Sequence, residues 1–226
     1  MATVLVIAAH PDDEALGCGA TLARHADAGD IVHILIVGEG ETARGAGEGA
    51  VTARSGAANA AATALGALPP RLLGLPDNRL DSLPLLDIVQ AIETVLNDVG
   101  PDIVYTHHAG DLNIDHRIVH QATLTACRPL PGHSVRELYA FEVLSSTEWA
   151  SGAGTGFAPT RFVDVGRHMA RKLAALRCYD QEMRPFPHSR SYEAVEALAT
   201  LRGANVGCQA AEAFEVIRQI IAQQEA

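Results

Sequence analysis

The chain has 226 residues, 17 of them basic and 27 acidic, for a net charge of −10 at pH 7. Its 48% hydrophobic and 19% charged content excludes a disordered chain, and no apolar run approaches the roughly 20 residues of a membrane-spanning helix. The acidic balance would repel an extended phosphate backbone, so nucleic acid is excluded as the expected partner.

This length suits one domain with a full core, expected over residues 1–226. The N-terminal Met1-Ala2-Thr3-Val4 carries no basic segment ahead of its apolar run, and Cys18, Cys127, Cys178 and Cys208 show no paired metal-type spacing. Both features lead us to expect a cytoplasmic protein without a cysteine-ligated zinc.

Val4 to Ala9 is a continuous apolar run with β-branched members, the pattern of a strand buried on both faces. Leu16, Ala20 and Ala23 recur at helical spacing between Ala15 and Ala28, and Gly29 stands where a helix stops. Ile31 to Val37 is a second buried strand, completing a βαβ unit with parallel strands. Val51 to Leu65 reads as an Ala-rich helix, Arg71 to Leu75 as a strand, Leu85 to Asn97 as a helix and Asp102 to Thr106 as a strand. A helix over 116–127 follows, then strand-like stretches at Glu137 to Val143 and Arg161 to Val165, and helices from Arg167 to Tyr179 and Tyr192 to Leu201. Ala213 to Ile221 fits a strand or a helix equally well.

The alternation predicts an α/β, Rossmann-like domain: a mostly parallel sheet with helices on both faces. Ala57, Ala60, Ala61 and Ala64 form a small-residue helix face that packs either internally or between copies in a homo-oligomer. Ligands of such sheets sit outside the carboxyl ends of the strands, which directs attention to the loops after Ala9, Val37, Leu75 and Thr106. Two loops are Gly-rich, Gly38 to Gly49 and Ser145 to Pro159, the second carrying Trp149.

The first of these turns reads His10-Pro11-Asp12-Asp13-Glu14, where a dinucleotide-binding turn would be rich in glycine. Three carboxylates and a histidine would repel a phosphate unless a cation came first. Gly17 and Gly19 fall too late for the phosphate fingerprint and are expected to pack the first helix on the sheet. The loop after the fourth strand, His107-His108-Ala109-Gly110-Asp111-Leu112-Asn113-Ile114-Asp115-His116, brings a second His/Asp cluster to the same rim. Helix capping by Asp13 and Asp115 would account for one carboxylate in each loop. It does not account for paired aspartates flanked by histidines, which point to a metal site.

His10-Pro11-Asp12-Asp13-Glu14 after a first strand, with a late Asp115-His116 at a helix start, resembles the PIG-L/LmbE-like family of zinc-dependent N-acetylglucosaminyl deacetylases. The resemblance runs from Val4 to the Ala211-Glu212-Ala213-Phe214 segment. It implies that His10, Asp13 and His116 are ligands of Zn2+, with another divalent metal as the alternative, and that Asp12 is the general base. Two histidines and one carboxylate leave the open coordination position that a catalytic zinc requires. The implied enzyme is a hydrolase that removes the acetyl group from an N-acetylated small-molecule sugar, the base moving a proton from water to the departing amine.

One position departs from the commoner family form. Asn113 stands three residues before His116, where that form has a histidine as oxyanion partner and proton donor. Asn113 itself, His107 or His108 are then the candidates for that role, with Asp115 orienting whichever group serves. Arg54 and Asp77, the latter in the Pro76-Asp77-Asn78-Arg79 turn, are candidate substrate contacts. His25, His33, His133 and His168 have bland settings, and His120 is read as a helix-face residue. The Arg184-Pro185-Phe186-Pro187-His188-Ser189-Arg190 stretch is a candidate cover over an anionic or sugar ligand. The competing readings are an amidase acting on a sugar-linked conjugate, a non-catalytic metal-dependent sugar-binding protein and a nucleotide-binding module.

Overall fold

A computed structural model describes residues 1–40, 48–150 and 156–221, with the side chains of 48–52 left aside. Residues 41–47 and 151–155 of the two Gly-rich loops lie outside the described residues. Seven strands form one sheet: β1 (Thr3–Ala8), β2 (Ile31–Gly38), β3 (Arg71–Leu75), β4 (Ile103–His107), β5 (Glu137–Phe141), β6 (Arg161–Asp164) and β7 (Ala211–Gln219). Their order across the sheet is β3-β2-β1-β4-β5-β7-β6. Neighbours among β3, β2, β1, β4 and β5 pair in parallel, whereas β7 runs antiparallel to both β5 and β6.

The alternating strand pattern sorts the core into two layers. Val4 and Val6 of β1 face one layer while Leu5 and Ile7 face the other, and all four are fully buried. That two-sided burial is why the strand reads as unbroken apolar sequence. On the Val4 side pack α1 (Asp13–Asp27), α2 (Glu48–Leu65), α5 (Met169–Cys178) and Val195 of α6 (Tyr192–Ala204). On the Leu5 side pack α3 (Leu85–Val99) and α4 (Ile114–Ala126). Helix α3 is amphipathic, burying Ile88, Val89, Ile92, Val95 and Leu96 along one face, and it stops at Gly100, whose φ of 59° is the left-handed value a glycine accepts without strain.

The predicted α/β architecture with helices on both faces is the architecture observed. The Ala-rich face of α2 packs internally, with Ala61 fully buried and Ala57 and Ala64 against the same core; only Ala60 is exposed. The ambiguous terminal segment is strand β7, which inserts between β5 and β6. Helix α4 begins at Ile114, two residues earlier than its apolar spacing indicates, because Asn113 caps it: the Asp115 N–H donates to Asn113 Oδ1 at 2.8 Å. Gly17 packs its backbone against the Phe141 ring, where a Cβ would come within 2.2 Å of a ring carbon. Gly19 is less crowded, its nearest neighbour lying at 3.5 Å. No helix among the described residues is long and apolar enough to cross a membrane.

Candidate metal centre and active site

Strands β1 and β4 are sheet neighbours, and β2 and β5 leave them in opposite directions. This is the topological switch point, where the loops after adjacent strands part and leave a crevice. Here the crevice receives the His10-to-Glu14 turn and the loop from His108 to Asn113.

Asp13 Oδ2 is the meeting point. It lies 3.3 Å from His10 Nδ1 and 3.3 Å from His116 Nε2, and it accepts the His10 backbone N–H at 2.8 Å. Potential ligand atoms of His10, Asp13 and His116 all fall within 4.8 Å of one another. Each imidazole has a carboxylate behind its other nitrogen. His10 Nε2 lies 3.0 Å from Asp115 Oδ2 and 3.2 Å from Asp77 Oδ1, and His116 Nδ1 lies 3.1 Å from Asp111 Oδ1. Such backing carboxylates set ring orientation and raise the basicity of a histidine ligand. Asp111 is itself held by the Ser146 and Thr147 hydroxyls. Burial alone would raise its pKa, but the hydrogen bonds and the charge of His116 outweigh that and hold it at about 2.

Asp12 stands apart from this cluster in a strained backbone. Its φ of 119° is rare for a residue with a side chain, and its carboxylate makes no cap to α1. The strained turn is braced from behind, because Glu14 accepts the Asp12 N–H at 3.1 Å and the Tyr179 hydroxyl at 2.7 Å. Burial pushes the Asp12 carboxyl up from its usual range, with the nearby Arg190 and Arg54 guanidiniums opposing. Arg190 Nη1 is 3.1 Å from Asp12 Oδ2, and Arg54 Nη2 is 3.8 Å from it.

His10, Asp12, Asp13 and His116 share a cavity of about 100 Å³ with Arg54, Asp77, Asn78, Asn113, Ser145, Ser146 and Arg190. Apart from Gly40 every lining residue is polar. The volume is below the roughly 300–1,000 Å³ typical of drug-sized ligand pockets. It suits one small polar group rather than a whole conjugate.

The positions singled out in the sequence fall into two sets. His10, Asp12, Asp13, His116, Asn113, Arg54 and Asp77 all border the cavity, whereas Asp115 and His108 do not. Asp115 lies behind His10 and also accepts the Leu80 N–H at 3.1 Å, so it neither caps α4 nor orients a proton donor. His108 turns toward β7, with Nδ1 2.6 Å from Glu215 Oε2. His107 is fully buried, stacked on His116 at 4.0 Å, and its Nε2 accepts the Ala9 N–H at 2.8 Å. Burial and the neighbouring His116 push its pKa far down, so it is a neutral acceptor. Asp13 does not cap α1, since the cap position belongs to Asp12.

Arg54 is engaged by Glu182 and by the Pro11 carbonyl. Among the bland histidines, His25 gains Asp30 at 2.8 Å and His168 gains Asp27 at 3.2 Å, pairings that sequence spacing did not show for either residue. His120 Nδ1 lies 2.7 Å from the His107 carbonyl. The Arg184-to-Arg190 stretch, read from the sequence as a cover, brings Arg190 to the cavity, whereas Glu182 and Asp111 carried no assigned role. The signal for Asp111 was its place inside the second His/Asp loop.

The family model described as GlcNAc-PI de-N-acetylase, PIG-L, matches residues 5–127. The chain is 33% identical over 180 residues to an Escherichia coli (strain K12) protein described as the uncharacterized deacetylase YaiS, covering 77% of this chain and 88% of that one. The same fold is seen in the 4-carboxy-2-hydroxymuconate hydratase of Pseudomonas putida KT2440, at 24% identity and a TM-score of 0.78 over 100% of both chains. It is also seen in the N,N'-diacetylchitobiose deacetylase of Pyrococcus horikoshii, at 20% identity and a TM-score of 0.75 over 96% of this chain and 84% of that one. The first turn, the late Asp-His and the extent of these matches agree, and the chain belongs to the PIG-L family of deacetylases.

Proposed function

We propose that the protein is a zinc-dependent N-deacetylase acting on an N-acetylglucosamine-type group of a small sugar derivative, with His10, Asp13 and His116 holding the metal and Asp12 as general base. The observation that carries this reading is the pairing of a His-Asp-His cluster with a separate carboxylate, Asp12, beside it in one polar cavity. The donor set fits the metal: two imidazole nitrogens converge on one carboxylate oxygen, and each ring is backed by further carboxylate. A zinc bound there would supply a Lewis acid for the amide carbonyl and a lowered pKa for water.

The chain's own residues supply the rest. Asp12, raised by burial, takes a proton as water attacks and returns it to the amine nitrogen as the C–N bond breaks. Its rigid turn, braced by Glu14 and Tyr179, keeps the carboxylate over the cavity instead of on the helix terminus. Asp77, Asn78 and Ser145 offer acceptors and donors for sugar hydroxyls on the cavity wall. The sugar class is supported by the family description and by the Pyrococcus neighbour, which is named for a diacetylated disaccharide. The four cysteines are all free thiols, which supports a cytoplasmic setting.

The test is an acetate-release screen over N-acetylated sugars with zinc added and then chelated. Metal-dependent release from at least one sugar is expected. The Pseudomonas neighbour makes water addition to an unsaturated acid the second outcome to assay, and turnover there without any acetate release would replace the present reading.

A further inference from the structure

A tetrahedral oxyanion needs a positioned donor, usually the largest electrostatic contribution to acyl transfer. The residues nearest in sequence do not present a cation to the cavity. Asn113 caps α4 through Oδ1 and donates to Asn78 Oδ1 at 3.1 Å through Nδ2. His107 is buried beneath His116 with its Nε2 taken by the Ala9 N–H, and His108 faces Glu215; neither lines the cavity. Arg54 borders the cavity, but its Nη1 is on Glu182 and its Nη2 on the Pro11 carbonyl.

Arg190 is placed differently. Its Nε donates to Ser145 Oγ at 2.9 Å, and its Nη1 lies 3.1 Å from Asp12 Oδ2 and 3.9 Å from Glu182 Oε2. Its Nη2 makes no hydrogen bond among the described residues. The backbone beneath is pinned twice, the Arg190 carbonyl accepting from the Arg184 N–H at 2.9 Å and its own N–H donating to His188 Nδ1 at 3.0 Å. The guanidinium is therefore fixed in place beside the candidate base, with two N–H groups left over.

We infer that Arg190 is the protein's own cation that, beside a bound metal, stabilises the oxyanion at the scissile carbonyl, an inference that rests on the N-deacetylase reading of the site. A water oxygen bonds to the carbonyl carbon while its proton passes to Asp12, and the carbonyl π pair moves onto oxygen. That pair returns as the C–N bond breaks and the nitrogen takes the proton from Asp12, leaving acetic acid and the free amine. In the first step one negative charge leaves Asp12 and one appears on the carbonyl oxygen. A single guanidinium in reach of both faces the same total charge throughout, so it has little reorganisation to undergo. Because its own charge is fixed across the working pH range, both proton transfers fall to Asp12.

The experiment compares metal-loaded wild type, Arg190→Met and Arg190→Lys on N-acetylglucosamine and N,N'-diacetylchitobiose. Calorimetric binding of methylphosphonate, a tetrahedral anion, and of acetamide, a neutral planar amide, is measured alongside. Arg190→Met is expected to lower kcat by roughly 10²–10³-fold with KM changed only a few-fold. It should weaken methylphosphonate by a comparable factor while leaving acetamide unchanged, with Arg190→Lys in between. Wild-type kcat in Arg190→Met, a loss confined to KM, or undiminished methylphosphonate binding would overturn the inference. So would loss of metal or fold in both variants, which would make the residue structural. Failure of the deacetylase reading looks different: the wild type itself would hold metal and release no acetate, overturning both at once.

Discussion

Lys172 Nζ lies 2.6 Å from Glu212 Oε1, and the two charges together bridge a break in α1. The helix leaves its ladder at Cys18, where φ is −144°. This separates the Leu16 carbonyl from its partner, the Ala20 N–H, and the Thr21 N–H likewise turns to a side chain. Lys172, the only lysine in the chain, donates to the Leu16 carbonyl at 2.7 Å. Glu212 accepts from Ala20 at 3.1 Å and from Thr21 at 2.6 Å. A buried ion pair thus replaces the missing backbone bonds and sets the first turn of α1, the one that carries Asp13. Lys172→Met leaves Glu212 buried without its cation and should cost about 3–5 kcal/mol, read from urea unfolding.

Gly17 and Gly19 look alike in the sequence but should respond differently to alanine. At Gly17 the new methyl meets the Phe141 ring, and overpacking of about 1–3 kcal/mol is expected. At Gly19 the added Cβ makes ordinary contacts, and Gly19→Ala should be neutral or gain up to about 1 kcal/mol from helix propensity. Thermal melts of the two variants check the contrast.

Asp111→Asn and Asp115→Asn each remove a carboxylate from behind a histidine of the cluster. Each should lower metal affinity by about 10–100-fold, measured by competition with a chelator. Unchanged affinity in both would mean that the rings hold their orientation without them.

Without metal, protons occupy the imidazoles. Burial opposes this, but the hydrogen bonds to Asp115 and Asp13 raise His10 to about 10, and Asp13 and Asp111 raise His116 to about 9. Both folded values lie above the unfolded value near 6.5. The folded state therefore binds more protons than the unfolded one over that range. This contribution to stability is complete below about pH 6.5 and is lost as pH rises through about 9 to 10. Chelated protein should show a falling Tm over that window, and zinc should raise Tm by mass action.

Much of this was legible in the primary structure, for definable reasons. The buried strands announce themselves because two-sided burial leaves no polar alternation, and the two His/Asp loops share a rim because β1 and β4 are neighbours at the switch point. β7 was ambiguous because its mixed sequence is buried only at one end, from Ala211 to Phe214. Glu182, and the pairing of Arg190 with Asp12, escaped because these residues reach Arg54 and Asp12 only through tertiary packing, from far along the chain. Asn113, His107 and His108 could not be sorted by spacing, since cap geometry and ring stacking decide which way each one faces.

The most direct measurement takes metal content and acetate release from one preparation of Asp12→Asn. About one zinc per chain should remain, because His10, Asp13 and His116 are untouched. Acetate release from a sugar that the wild type deacetylates should fall by roughly 10²–10⁴-fold for want of the base. Wild-type release in the metal-loaded Asp12→Asn protein would contradict the account at its centre.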